Sequence, residues 1–178
     1  MSARRYLTCT SVLLCLISSI LYAAPFDPGA DPPYAAAILV EAESGTVLFS
    51  HNPHLQRSPA STQKILLELV VMDMVSQGKY AQVFLKQGEI FTLGELMEAV
   101  VIPSANDACV AISEHIGGSV EGFVTMMNAH ARELGLANTR CVNVHGLDDT
   151  PLDDRNLTTA YDLSQIARSL ISYPQVLA

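Results

Sequence analysis

SPASTQKILLELVVMDMVSQG, residues 58–78, is the segment around which the rest of the chain must pack. Ser58 followed by Pro59 is typical of a helix start, with the serine as N-cap and the proline at the first helical position. Gly78 marks the expected end of that helix, near Gln77. Apolar residues lie around nearly its whole circumference, and a helix of that kind belongs in the protein interior.

Two apolar runs before this helix predict a β-hairpin. They cover residues 36–42 and 45–49, and Glu43, Ser44 and Gly45 supply the turn between them. No later run predicts a strand that would pair with the hairpin. Because an isolated two-stranded hairpin is marginally stable in water, we expect further strands of the sheet to lie in sequence beyond this chain.

The part that follows the buried helix is predicted to be helical. Thr92 and Glu95 form a capping box that opens a helix, and Pro103 closes it. Glycines end two of the remaining helices, which are expected at residues 107–116, 120–134 and 159–172. The fold class is therefore α+β, an N-terminal hairpin followed by helices.

Ser61 and Lys64 lie one turn apart on the buried helix, which brings their side chains to within about 5 to 6 Å at Cβ. A hydroxyl and an amine at that distance can act as nucleophile and base, and the start of a helix favours developing negative charge. The spacing alone is a weak signal, because Ser76 and Lys79 share it. In the competing interpretation Lys64 reaches solvent or pairs with Glu68.

Ser104-Ala105-Asn106 follows Pro103 at a break between two predicted helices. Side chains at such a break can project into a cleft, where a hydroxyl and a carboxamide can face Ser61. The competing interpretation is N-capping, with Ser104 and Asp107 forming a Ser-x-x-Asp box. Capping and catalysis do not exclude each other.

Two segments resemble motifs of one enzyme superfamily. Residues 59–64 resemble the Ser-x-x-Lys motif of penicillin-binding proteins and serine β-lactamases, and residues 104–106 resemble their Ser-x-Asn motif. Most of residues 35–174 is similar to the low-molecular-mass D-Ala-D-Ala carboxypeptidases, through FLKQGE at 84–89, PSANDA at 103–108, MNA at 127–129, LGL at 134–136 and HGLDD at 145–149. The resemblance implies a β-lactamase/transpeptidase-like α+β domain, with residues 24–178 as its N-terminal part.

The resemblance assigns roles to four residues. Ser61 would attack the D-Ala-D-Ala peptide bond of a peptidoglycan stem peptide and form an acyl-enzyme that water hydrolyses. Lys64 would accept the serine proton, Ser104 would relay a proton to the leaving amine, and Asn106 would orient the substrate amide. Penicillin and other β-lactams would acylate Ser61 too, and the resemblance implies no cofactor and no metal.

The family's third motif, Lys-Thr-Gly, is absent from the chain. None of Lys64, Lys79 and Lys86 is followed by Thr-Gly. In the family this motif is expected to bind the substrate carboxylate and to supply a second oxyanion amide and a cation near the catalytic lysine. A chain without the motif would lack these three features. Three functions stay open: a carboxypeptidase represented by an incomplete and inactive chain, a non-catalytic envelope protein that binds peptidoglycan or a partner, and a β-lactamase or esterase of the same superfamily.

The first 23 residues are typical of a signal peptide. Arg4 and Arg5 precede an apolar run at residues 12–21, and Ala23 and Ala24 supply small residues at the cut. The alternative is an uncleaved membrane anchor, which would need roughly 20 apolar residues. We expect export to the periplasm or the outer face of the cytoplasmic membrane. Membrane association of the mature domain would need a segment C-terminal to this chain.

Charge, cysteine content and histidine spacing bear on three other kinds of function: nucleic-acid binding, a disulfide and a metal site. The formal net charge is −8, and an acidic protein is a poor nucleic-acid binder. Cys109 and Cys141 would remain after signal cleavage and could form a disulfide in an oxidising compartment, or Cys109 is simply a small buried apolar residue. His51 and His54 lack the cysteine or carboxylate partners of a metal site.

Overall fold

A computed structural model describes the backbone of residues 32–78, 82–83, 90–147 and 154–177. The predicted signal peptide at residues 1–23 lies outside the described residues, as do the FLKQGE segment at 84–89 and the acidic loop at 148–153. Two units are distinguished, Met1–Pro33 and Tyr34–Ala178. All the elements described below belong to the second unit.

The predicted hairpin is confirmed, with strands somewhat shorter than expected. Strand β1 (Ala37–Val40) pairs antiparallel with β2 (Val47–His51), and a bulge follows Leu39. The strands stop short because Glu41 belongs to the turn: its carboxylate accepts the backbone N–H of Glu43 at 3.0 Å and that of Ser44 at 2.5 Å. Four apolar side chains of the hairpin are exposed, Leu39, Val47, Leu48 and Phe49.

The central helix starts differently from the prediction. A 3-10 helix (Ala60–Gln63) leads directly into helix α1 (Lys64–Ser76), and Pro59 takes the N-cap position without a side-chain cap. The predicted Ser58 cap is wrong, because the Ser58 hydroxyl donates instead to the carbonyl of Asn156 at 3.4 Å. At the other end Gln77 is the C-cap, and Gly78 follows it with φ +74°, as expected.

Four further α-helices follow within the described residues. They are α2 (Leu93–Val101), α3 (Asn106–Gly117), α4 (Val120–Glu133) and α5 (Ala160–Leu170), with a last 3-10 helix at Pro174–Val176. The Thr92 capping box is confirmed: its hydroxyl accepts the N–H of Glu95 at 3.2 Å, and the Glu95 carboxylate accepts the N–H of Thr92 at 2.7 Å. The sequence did not predict the short ribbon of β3 (Gln82–Val83) and β4 (Phe91–Thr92).

Helix α1 lies at the centre of the packing, as its apolar circumference predicts. It contacts α2, α3, α4 and α5, while α3 packs on α4 and strand β1 packs on α5. Leu67 and Val70 of α1 are fully buried beside Ile112 of α3 and Phe123 and Met127 of α4, all members of one apolar cluster. The start of α1 and the connection between α2 and α3 are therefore held by a rigid core.

Candidate active site

The amine of Lys64 is the centre of a polar cluster at the start of α1. The residue is 5% exposed. Its Nζ has four oxygen neighbours: Ser61 Oγ at 3.2 Å, Ser104 Oγ at 2.8 Å, the Ser104 carbonyl at 3.0 Å and Asn106 Oδ1 at 2.8 Å. The structure thus brings all four residues singled out from the sequence to one point.

The number of acceptors matters chemically. An ammonium group has three protons to donate, so it cannot serve all four oxygens at once. When the amine is neutral it can instead accept a proton from a neighbouring hydroxyl, and two hydroxyls, those of Ser61 and Ser104, are within reach. The cluster can therefore move a proton between two serines through one nitrogen.

The competing interpretation of Lys64 is wrong. Its side chain does not extend into solvent, and within the described part of the chain no carboxylate forms an ion pair with it. Glu68 is half-buried on the same helix, and burial raises the pKa of its carboxyl. The second Ser-x-x-Lys pair, Ser76 and Lys79, differs from the first in its contacts. Ser76 Oγ donates to the Asp73 carbonyl of its own helix at 2.7 Å. Lys79 lies outside the described residues.

Ser104 is not the N-cap of α3. Ala105 holds that position, and no side chain caps the helix. The backbone of Ser104 has φ +61°, a left-handed conformation that is uncommon for residues other than glycine. In this conformation both the hydroxyl and the carbonyl of Ser104 lie against Lys64. The N–H of Ala105 donates to the Ala99 carbonyl at 2.9 Å, which fixes the connection between α2 and α3.

The four residues differ in exposure. Ser61 is exposed, Ser104 and Asn106 are partly buried, and Lys64 is buried. A reactant can therefore reach the Ser61 hydroxyl while the amine stays shielded from water. A groove of about 660 Å³ lies away from these residues, between α1 and α2, and is lined by apolar side chains such as Val71, Met97 and Val101.

The two cysteines of the domain are buried free thiols, so the disulfide interpretation is wrong and the apolar one agrees with the structure. Burial raises the pKa of Cys109 to about 11 and that of Cys141 to about 12. The Cys109 thiol donates to the Ala105 carbonyl at 3.3 Å. Neither cysteine can replace Ser61 as a nucleophile at neutral pH, because so little thiolate is present.

The described residues offer neither a metal site nor a membrane-spanning helix. Within the described ranges, no three His, Cys, Asp or Glu side chains are grouped as ligands for a metal ion. None of the described helices is long and apolar enough to cross a membrane.

A family model described as D-alanyl-D-alanine carboxypeptidase, peptidase S11, matches residues 30–82 and 73–177. The chain belongs to the peptidase S11 family. Among curated S11 relatives, D-alanyl-D-alanine carboxypeptidase DacF of Bacillus subtilis is 35% identical over 79% of this chain. The chain spans less than half of that relative, 40% of its length.

Solved structures agree with the S11 assignment. A peptidoglycan synthesis regulatory factor from Streptococcus pneumoniae matches with a TM-score of 0.74 and 30% identity over 83% of this chain and 54% of that one. Penicillin-binding protein D2 from Listeria monocytogenes, in its cefotaxime-bound form, matches with a TM-score of 0.71 and 25% identity over 85% of this chain and 67% of that one. The hairpin and helices are thus part of a penicillin-binding-protein fold.

One polar group of the candidate site, the backbone carbonyl of Ser104, could not be predicted from the sequence. The Ser104 carbonyl is as close to Lys64 as the side chains are, at 3.0 Å. Backbone direction at a break between helices depends on φ and ψ, which the residue types Pro-Ser-Ala do not specify.

Proposed function

We propose that this chain carries the nucleophile and proton-transfer residues of a serine-type D-Ala-D-Ala carboxypeptidase, which removes the terminal D-Ala of peptidoglycan stem peptides. One observation carries the proposal: the buried amine of Lys64 lies between the hydroxyls of Ser61 and Ser104, at 3.2 and 2.8 Å. Since Ser61 is exposed, a peptide can approach it from solvent.

In the proposed acylation step, the neutral Lys64 amine accepts the Ser61 proton as Oγ bonds to the carbonyl carbon of the scissile peptide. The C–N bond then breaks, and the leaving D-Ala nitrogen takes a proton from Ser104 Oγ. The protonated Lys64 amine gives its extra proton to Ser104 Oγ, so both groups return to their starting states. Asn106 orients the substrate amide. Ser61 lies in the 3-10 helix that leads into α1, close to the positive end of the α1 dipole, which stabilises the oxyanion.

Deacylation completes the proposed cycle. Water attacks the Ser61 ester, the acyl C–O bond breaks, and the shortened peptide leaves with a free carboxylate while the serine regains its proton. A β-lactam would react at the same oxygen, with the ring amide C–N bond opening in place of the peptide bond. The cefotaxime-bound Listeria relative supports this part of the proposal.

Turnover is expected to need more than these 178 residues. The Lys-Thr-Gly tripeptide is absent from the sequence, and the chain covers 40% of the DacF relative. We therefore propose that residues 24–178 are the N-terminal part of the transpeptidase-like domain, with little or no turnover of their own. Export through cleavage of residues 1–23, to the periplasm or the outer face of the cytoplasmic membrane, belongs to the same proposal.

Labelling with a fluorescent penicillin tests the proposal. The protein, expressed in full from its natural reading frame, is compared with Ser61→Ala and with the matched control Ser76→Ala. We expect the parent and Ser76→Ala to be labelled and Ser61→Ala to stay unlabelled. Equal labelling of the parent and Ser61→Ala would remove Ser61 as nucleophile, and an unlabelled parent would favour the non-catalytic envelope function.

A further inference from the structure

The loop at residues 143–147 touches the backbone immediately before Ser61. Gly146 is buried and has φ +86°. A Cβ atom at this position would lie 1.9 Å from the carbonyl oxygen of Ala60 and 2.5 Å from its carbonyl carbon. Because both atoms belong to the backbone, no side-chain rotation could relieve the overlap. Gly146 therefore allows a close approach of two backbone segments that a larger residue would push apart.

The contacted residue is in an unusual conformation. Ala60 has φ +50°, a left-handed conformation that is unfavourable for an L-residue with a Cβ. Such a conformation persists only where the surrounding structure holds it. The Gly146 contact lies on the carbonyl of the peptide that joins Ala60 to Ser61. The orientation of this peptide sets the direction in which the Ser61 side chain leaves the helix start.

A second contact holds the other side of Ser61. The buried side chain of Gln63 donates from Nε2 to the carbonyl of Asn143. The loop therefore meets the 3-10 helix one residue before the proposed nucleophile, at Ala60, and two residues after it. Ser61 lies between the two contacts.

Asn143 also builds the turn that presents Gly146. Its Oδ1 accepts the backbone N–H of Gly146 at 2.8 Å and that of His145 at 3.2 Å, and its Nδ2 donates to the carbonyl of Leu147 at 3.0 Å. The loop is anchored in turn by the fully buried Asn156, whose Oδ1 accepts the N–H of Val142 and of Asn143 at 2.8 and 3.2 Å.

We propose that Asn143 and Gly146 are positioning residues, which hold the Ala60–Ser61 peptide so that the Ser61 hydroxyl stays within reach of the Lys64 amine, a distance of 3.2 Å. This inference rests on the proposed function of Ser61. Neither residue touches the reacting atoms. Both therefore affect the rate of acylation by fixing the position of the Ser61 hydroxyl. Displacement of a reacting group by about 1 Å can lower a rate by about a hundredfold.

The test replaces Gly146→Ala in the protein expressed in full, with Gly135→Ala as the matched control. Both glycines have positive φ, +86° and +73°, but a Cβ at Gly135 meets nothing within 4 Å. Backbone strain is thus common to the two variants, and only Gly146→Ala presses on Ala60. Rapid-mixing kinetics with a fluorescent penicillin separate the first-order acylation constant from the dissociation constant of the noncovalent complex.

We expect Gly146→Ala to lower the acylation constant by about tenfold or more, with the noncovalent dissociation constant unchanged within about twofold. Gly135→Ala should keep both constants near those of the parent. A merely structural role would appear differently: partial unfolding lowers the fraction of molecules that become labelled, while the folded remainder reacts at the parental rate constant.

If Gly146→Ala does not fold, two variants of Asn143 test the positioning role of the loop. Asn143→Asp keeps the side-chain oxygen that accepts the N–H groups of His145 and Gly146, whereas Asn143→Ala removes it. The acylation constant should fall in Asn143→Ala and recover most of its value in Asn143→Asp. If the parent is labelled at Ser61 and these variants all react at the parental rate constant, the positioning inference is overturned while the proposed function stands. A parent that is not labelled overturns both.

Discussion

Ser104 presents both its hydroxyl and its carbonyl to the buried amine of Lys64, at 2.8 and 3.0 Å. The carbonyl can only accept, so it stabilises the ammonium form, whereas the hydroxyl can also donate to the neutral form. One residue therefore supports both protonation states of the amine. Its left-handed backbone, φ +61°, makes this double contact.

Replacing the buried amine tests its proposed role as base. Lys64→Met keeps most of the side-chain volume and removes the nitrogen, so we expect the penicillin acylation rate to fall by about 10²- to 10⁴-fold. The free energy of unfolding should change by less than about 2 kcal/mol, because the lost hydrogen bonds are offset by no longer burying a polar amine. Stopped-flow acylation and urea unfolding measure the two quantities, with Ser76→Ala as control. Near-parental acylation by Lys64→Met would show that another group takes the proton.

Two substitutions of Ser104 separate the effect of its hydroxyl on the acylation rate from the effect of its left-handed backbone on stability. Ser104→Ala and Ser104→Gly both lack the hydroxyl, so the two should lose acylation rate equally. The glycine variant adopts positive φ without a Cβ, and we expect it to be about 0.5–1 kcal/mol more stable than the alanine variant. Urea midpoints of the pair measure that difference. If alanine proved the more stable, the left-handed conformation of residue 104 would be refuted.

The sequence was informative where the structure depends on local spacing. Ser61 and Lys64 meet because residues three apart share one helix face, and the Thr92–Glu95 box forms because both partners lie within one turn. The buried position of α1 followed from its apolar circumference, with Leu67 and Val70 fully enclosed.

Features set by distant contacts could not be predicted. The Ser58 hydroxyl bonds the Asn156 carbonyl, 98 positions away, in place of capping its own helix. Positive φ at Ala60 and Ser104 has no signature in residue type, since alanine and serine both avoid it. Strands β3 and β4 have two residues each, too few for an alternating pattern.

The buried cysteines should be unreactive in the folded protein. Because burial raises the pKa of Cys109 to about 11 and that of Cys141 to about 12, thiolate is scarce at pH 8. Both thiols should therefore resist a disulfide reagent in buffer and react fully in urea. Mass spectrometry of the labelled peptides assigns the sites. A pair that stays unreactive in urea until a reductant is added would indicate a disulfide.

The turn of the hairpin should weaken in acid. Bonds from the hydroxyl and backbone N–H of Ser44, with the N–H of Glu43, lower the pKa of Glu41 from 4.5 to about 2. The folded pKa lies below the unfolded value, so this contribution to stability is complete above pH 4.5 and is lost as pH falls toward 2. Carboxyl titration by NMR measures the pKa directly. In Glu41→Gln the pH dependence of unfolding between pH 4.5 and 2 should be smaller than in the parent. A Glu41 carboxyl that titrates near 4.5 would mean that the turn is not held by these bonds in solution.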